Sequence, residues 1–367
     1  MSGNFRLTAW QKKQAALLYL FSSTTYLEGL KGRVRDLRLF AEGILDTSHK
    51  EGRDSKLRSR QWGNRNTGEN WENNAWPFLA DFQRSISEDI ANRASNIYNK
   101  TSTHQCARGM AEYSMQWSTP DEERQFDSMF SELSRYSRYI DQTLDRTTRA
   151  TRWTDFGLTL AWQRHSTEFP TLPKMLPRVD LVAESGQLPP KTGIYVALDD
   201  PHATLQFAWT GSVSGGLLDA TTFNTTGKSA LSAVGRARLW LDGDAMLRFV
   251  LNNLSNPDLT NDSFFEESRT PDLAPSLVAR NAFTSHPSRW CYVELVKDEF
   301  EPVDFEADDT PQQARRFDAG EQCKEAGFYF SPAETNSRRY FEPGEWFPHL
   351  RSEYGKTIWQ WDHDQDK

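Results

Sequence analysis

Apolar residues in the first 150 positions recur at steps of three and four, the period of helices that bury one stripe. Val34, Leu37, Phe40, Ile44 and Leu45 form one stripe, and Phe78, Phe82, Ile86, Ile90 and Ile97 form another. The sharpest start signal is Thr119-Pro120-Asp121-Glu122. Thr119 can accept from a first-turn amide, Pro120 suits the first helical position, and Glu122 completes a capping box. The helix it predicts carries Phe126, Met129, Phe130, Leu133, Tyr136, Ile140 and Leu144 on one side. The longest uninterrupted apolar run, Ala15 to Phe21, reads as part of an amphipathic helix. It is far short of the roughly 20 residues that cross a bilayer. Lys12 and Lys13 precede it, but no small-residue cleavage site follows, so it does not read as a secretion signal. The polar stretch from His49 to Asn74 reads as a long loop.

After residue 170 the period changes. Pro170, Pro173, Pro177, Pro189 and Pro190 break helix continuity and mark a linker or crossover at 171–192. Short β-branched and aromatic runs follow: Gly193–Leu198, Ala203–Trp209, Trp290–Val296, Gly327–Phe330 and Thr357–Trp361. Bounded by Gly, Pro or Asp, they predict strands. One helix is expected among them at Asp244–Asn253, where Met246, Phe249, Val250 and Leu254 share a face. The fold class is therefore α+β. A helical, bundle-like region at 1–170 and the linker lead into a mixed or antiparallel β-rich region at 193–367 with one or more helices.

Composition refines this picture. Only 37% of the 367 residues are hydrophobic, yet 13% are aromatic, so burial leans on large rings, which also anchor interfaces. Cys106, Cys291 and Cys323 are few, odd in number and far apart, which suits reduced cytosolic thiols better than a disulfide framework. Charge divides unevenly: 1–170 carries +3 and 171–367 carries −11. Within 294–309 eight acids accompany one Lys, a strip that repels nucleic acid and attracts a basic protein, or is simply a solvated loop. The basic residues and two tryptophans of 49–74 have the makings of a nucleic-acid contact, but no nucleic-acid-binding signature supports it.

A search for catalytic chemistry finds no phosphate loop, and Gly211-Ser-Val-Ser-Gly215 lacks the central serine of a nucleophile elbow. The seven histidines are scattered, and neither a metal site nor a cofactor is expected. Asp199-Asp200 before Pro201-His202 has two readings. The residues supply an acid, a base and an imidazole for catalysis, or they form a turn in which Asp caps amides and Pro sets the bend. Arg338-Arg339, beside Tyr340-Phe341, suits an anion or an internal pairing with the acidic strip.

The stretches 192–211, 215–227, 234–240, 323–348 and 355–361 resemble blocks of a family of bacterial immunity proteins. These are cytosolic antidotes encoded beside polymorphic or type VI secreted toxins, of the kind catalogued as immunity families seventy-one and seventy-two. The most specific part pairs Ser337-Arg338-Arg339-Tyr340-Phe341 with Thr357-Ile358-Trp359-Gln360-Trp361, and Trp209 lies in the block at 192–211. Where the family has Trp-Trp-Phe-Thr-Pro-Ala, this chain has Phe328-Tyr329-Phe330-Ser331-Pro332-Ala333. The resemblance implies no catalytic residues, a cytoplasmic protein that is not an enzyme, and neutralisation of a cognate toxin by stoichiometric binding over its active site. The acidic half suits a basic nuclease as that partner. The expected contact residues are Asp298, Glu299, Asp304 and Asp308, with Asp199 and Asp200. The family-like Trp209, Arg338, Arg339, Tyr340, Phe341, Trp359 and Trp361 are expected to be structural. Two other readings are an enzymatic antidote working through Asp199, Asp200 and His202, and an adaptor or chaperone that loads an effector.

Overall fold

The computed structural model describes residues 5–54, 66–146, 151–303, 316–323, 326–331, 334, 337–350 and 357–361, and its class is α+β. The chain divides into two compact units, one of 1–222 with 284–303 and one of 223–283 with 304–367. The division falls elsewhere than the proline-rich boundary expected at 171–192.

The first unit opens with α1 (Ala9–Ser22), which starts on a capping box between Thr8 and Gln11. Ser23 ends it and caps α2 (Thr24–Glu51), which terminates on Gly52 in the left-handed region. Next come α3 (Thr67–Asn74), α4 (Trp76–Arg93) and α5 (Thr103–Ala111). The capping box at Thr119 is present. It opens α6 (Pro120–Leu144) with Glu122 accepting from Thr119 N at 2.7 Å, and Arg53 clamps the same carboxylate at 2.8 Å. α7 (Asp155–His165) follows. α2 packs on both α4 and α6, burying Val34, Leu37 and Ile44 against Leu79, Phe82, Ile86, Phe126, Leu133 and Ile140.

Two expectations in this region need correction. Part of the loop expected at His49–Asn74 is helix: α2 runs to Glu51, and α3 buries Trp71 against Trp117 at 5.3 Å between ring centroids. Polar Asn and Glu surround that single anchor, so the stripe is too thin to register as a helical period. α1 is buried on most sides and is not amphipathic. Gln11, Lys13 and Gln14 lie within it beside Ala15, Leu17, Leu18 and Phe21, each 5% exposed or less.

Most of the proline-rich stretch is a strand, β1 (Thr171–Glu184), while Pro189 and Pro190 lie in the irregular segment that follows it. β2 (Gly193–Ala197), β3 (Gln206–Ala208) and β4 (Ala220–Phe223) follow, and the chain leaves the unit after Thr222. The second unit then forms α8 (Thr225–Val234), α9 (Gly243–Asn252), α10 (Pro257–Thr260) and α11 (Ala274–Asn281). α9 matches the helix expected there. It buries Met246, Phe249 and Val250, while Leu254 lies past its end and is half exposed. β5 (Phe283–His286), which pairs with β4, and β6 (Arg289–Pro302) complete the first unit.

The main sheet has the order β1-β6-β2-β3, antiparallel throughout. Prolines fit β1 because it lies at an edge, where a missing N–H costs no ladder bond. One face, with Met175, Ile194, Val196, Cys291 and Val293, joins the helical core. The other, with Tyr195, Ala197, Trp290 and Tyr292, forms a smaller core of its own.

Strands β7 (Arg316–Asp318), β8 (Gly327–Phe330), β9 (Arg339–Phe341) and β10 (Ile358–Trp361) belong to the second unit and pair in the order β7-β10-β8-β9. Their core is aromatic: Tyr329, Phe341, Phe347 and Trp359 pack around Cys323.

Gly211–Gly215 forms a turn wrapped tightly on Trp209. Trp209 N donates to Gly215 O at 3.1 Å, and a Cβ on Gly215 would sit 1.9 Å from the Trp209 carbonyl oxygen. Gly43, in contrast, is an exposed glycine inside α2 with nothing within 4 Å of its would-be Cβ. Gly215→Ala is therefore expected to destabilise the protein by about 2 kcal/mol or more, and Gly43→Ala to stabilise it by roughly 0.5–1 kcal/mol. Urea unfolding of both variants checks the opposite signs.

Candidate functional site

The expected contact residues Asp298 and Glu299 lie where β6 departs from its register with β1. Pro173 pairs with Phe300 and Met175 with Leu295, so one β1 residue faces four on β6, and 296–299 bulge outward. Asp298 takes φ of +59°, a left-handed conformation that Asp tolerates better than most residues. A second bulge lies on β1, where Arg178 pairs with Tyr292 and Val182 with Cys291, leaving 179–181 extra. The bulges put side chains into solvent: Phe300 is 66% and Val179 56% exposed, with Leu176, Val182 and Leu295 also open.

Several acids of this ribbon already have cationic partners. Lys174 meets Glu299 at 2.6 Å and Lys12 meets Glu301 at 2.8 Å. Arg178 lies between Asp180 at 2.8 Å and Glu294 at 2.6 Å, and it holds the Asp180 carboxyl below the usual range. Asp298, beside Phe300, is exposed at the crest of the bulge. Asp304 and Asp308 lie outside the described residues.

Asp199 and Asp200 fall at the end of β2, and the turn reading fits them. Asp200 Oδ1 accepts from His202 N at 2.8 Å, and Asp199 Oδ1 accepts from Ser288 Oγ at 2.6 Å. The imidazole beside Asp200 belongs to His286, with Nε2 at 3.0 Å from Oδ2. His202 contributes its backbone amide to Asp200. His286 is 86 residues away in the chain, and no local spacing links the two.

Both His286 nitrogens face acceptors, since Nδ1 lies 2.8 Å from the Pro287 carbonyl. That arrangement favours the doubly protonated ring and raises its pKa, with the Pro287 and Asp200 bonds as the leading causes. Burial works to raise the Asp200 carboxyl, but His286, the Thr222 hydroxyl and the His202 amide outweigh it and bring the pKa below its ordinary value. A ring in this state does not accept a proton from a serine, and the Ser288 hydroxyl is directed to Asp199. The group is suited to holding the β2 end against the start of β6.

Thiol chemistry is disfavoured as well. All three cysteines are buried, and burial pushes Cys106 up to about 12 and Cys291 up to about 11. Among the described residues no group of three or more His, Cys, Asp or Glu is placed to hold a metal ion.

The family-like residues lie in aromatic packing. Trp209 is buried, its Nε1 donating to Ser212 Oγ at 2.8 Å. In the second unit, Arg338 lies over the Phe328 ring at 4.0 Å, and Arg339 over Phe341 and Trp359 at 4.5 and 5.0 Å. Both guanidinium groups thus pack over aromatic rings, and 304–309 of the acidic strip lie outside the described residues. Tyr340 is half exposed and edge-on to Phe328, Phe341 and Trp359 are buried, and Trp361 lies opposite Tyr329 in the β8–β10 ladder.

The Asp200–His286 pair has a pH signature. His286 is raised above 6.5, so its contribution to stability is complete below 6.5 and is lost as pH rises through the folded value. Asp200 is lowered below 3.8, so its contribution is present above 3.8 and is lost as pH falls through the folded value. Asp200→Asn can keep the bond to His202 N but removes the charge. The stability gap between wild type and Asp200→Asn should be larger at about pH 5 than at about pH 9 in urea titrations; a gap independent of pH would contradict the pairing. No protein-family model, curated protein or solved structure matches the chain.

Proposed function

We propose that this chain is a stoichiometric binding protein of the immunity type, which neutralises a secreted antibacterial toxin by covering its active site. The observation that carries the reading is the doubly bulged β1–β6 ribbon, which displays Asp298, Phe300 and Val179 to solvent. A solvated acidic loop has no use for exposed apolar side chains, whereas an interface combines aromatic anchors with a polar rim. The net −11 of residues 171–367 would speed encounter with a basic partner such as a nuclease. β1 is an edge strand, so its unpaired backbone groups offer a further mode of attachment. The resemblance to immunity proteins points the same way.

The enzymatic alternative draws less support, because the His286 ring nitrogens and the Ser288 hydroxyl already face partners within the group. The adaptor alternative predicts a partner held away from its toxic domain. Expressing the adjacent gene's product alone and together with this chain tests the proposal. The expected outcome is toxicity alone, protection together, and a 1:1 complex on co-purification. A harmless product, or two products that do not associate, sinks it. Within the complex, Asp298→Lys combined with Phe300→Ala should weaken binding by about 30-fold or more, as loss of a central anchor does. Unchanged affinity would remove the ribbon from the interface.

A further inference from the structure

In the second unit, a cleft of about 270 Å³, partly open to solvent, lies between the end of α8 and the length of α9. That volume is just below the range of small-molecule sites, roughly 300–1,000 Å³, and well above the share of one water, about 30 Å³. Its existence follows from side-chain size. Ala233 lines it from α8 and Ala245 from α9, where larger residues would close the gap. Val234, Ala245 and Phe249, each 7% exposed or less, make an apolar floor. Ala245, Phe249 and Asn252 recur at helical spacing, so α9 turns one side to the cleft.

The rim is cationic. Gly235 and Trp240, with φ of +83° and +73°, turn the connection between the helices, and the buried Trp240 ring anchors it beside Phe223 and Phe283. Arg238 lies between these two points and lines the cleft. Its carboxylate partner is Asp242, at a long 3.9 Å, and the other Asp242 oxygen accepts from Ala245 N at 2.9 Å to cap α9. Arg248 lines the cleft from α9 and is exposed, and among the described residues no carboxylate pairs with it. No acid is among the described lining residues, although 171–367 carries net −11. The carbonyl end of α9 would oppose an anion, but Asn253 answers part of it: its side-chain amide donates to Phe249 O at 2.8 Å and its N–H to Val250 O at 3.1 Å. Arginines on an open surface need no ligand, because water solvates them. Here two of them border a hollow whose apolar floor gains from being covered. A molecule with an apolar body and a carboxylate suits both parts, the body covering Val234 and Phe249 and the carboxylate taking guanidinium bonds. Inorganic phosphate would leave the floor wet.

We propose that this cleft binds a small apolar carboxylic acid, with the guanidinium groups of Arg238 and Arg248 and the Asn252 amide taking the carboxylate. The site is independent of the toxin-binding reading, since the ribbon contributes none of these residues. Isothermal calorimetry of the full chain tests it, with hydrocinnamate and isocaproate as probes and hydrocinnamamide, acetate and inorganic phosphate as controls. At least one of the two acids is expected to bind saturably, about tenfold or more tighter than every control. Arg248→Gln removes one cation from an exposed position, and Ala233→Trp fills the cleft with both cations kept. Each should weaken that acid by about tenfold or more. Lys228→Gln removes an exposed charge elsewhere on α8 and should leave the affinity unchanged. The proposal is overturned if neither acid binds saturably, if the amide or a small anion binds as well as the acids, or if either cleft variant binds like the wild type. A loss in Lys228→Gln as large as that in Arg248→Gln overturns it too.

Discussion

The first unit depends on burying α1, a helix that brings polar side chains into the core between the other helices and the sheet. Such groups are costly inside unless they find partners. Gln14 accepts from Leu205 N at 3.0 Å, Gln11 donates to Pro201 O at 3.3 Å, and the Tyr19 hydroxyl donates to the Val293 carbonyl. Each bond ties the helix to a different part of the sheet region: the run into β3, the turn after β2, and the middle of β6. The fully buried Ala15, Leu17, Leu18 and Phe21 supply the apolar gain, and the polar bonds make one seating of the helix preferable to its rotations.

That seating reaches the ribbon. Lys12 on α1 holds Glu301 near the end of β6, and Val293 lies in the same strand before the bulge. β6 is therefore anchored on both sides of 296–299, and the extra residues have nowhere to go but outward. An arrangement of this kind presents side chains without the entropy loss that a free loop would suffer on binding.

Features written in local chemistry were legible in the sequence. Thr119 to Glu122 specify a helix start by side-chain reach alone, and the α9 face follows from Met246, Phe249 and Val250. Features decided by partners far along the chain were not. Pro173 and Pro177 read as breakers because nothing local says that β1 lies at an edge, where proline is tolerated. The bulges depend on register between 171–184 and 289–302, a matter of pairing and not of either segment's own pattern. His202 is two positions from Asp200 in sequence, but the turn points its backbone at the carboxylate while β5 brings in His286. Arg248 gave no signal at all. It looks like any charged residue on a helix until the small Ala233 and Ala245 leave a cleft beside it.

The same logic separates the two kinds of acidic residue on the ribbon. Glu294, Glu299 and Glu301 lie within reach of Arg178, Lys174 and Lys12, so they shape the ribbon and their charge is largely answered within the unit. Exposed pairs of this sort contribute little stability individually, but they neutralise the flanks of the bulge and keep the strands from repelling one another. Among the described residues of the strip, the crest, with Asp298 next to an exposed phenylalanine, is where charge and apolar surface meet solvent together. Sequence composition marks the whole acidic strip alike. Among the described residues, register and ion pairing single out the part of it whose charge is not answered by a neighbouring cation.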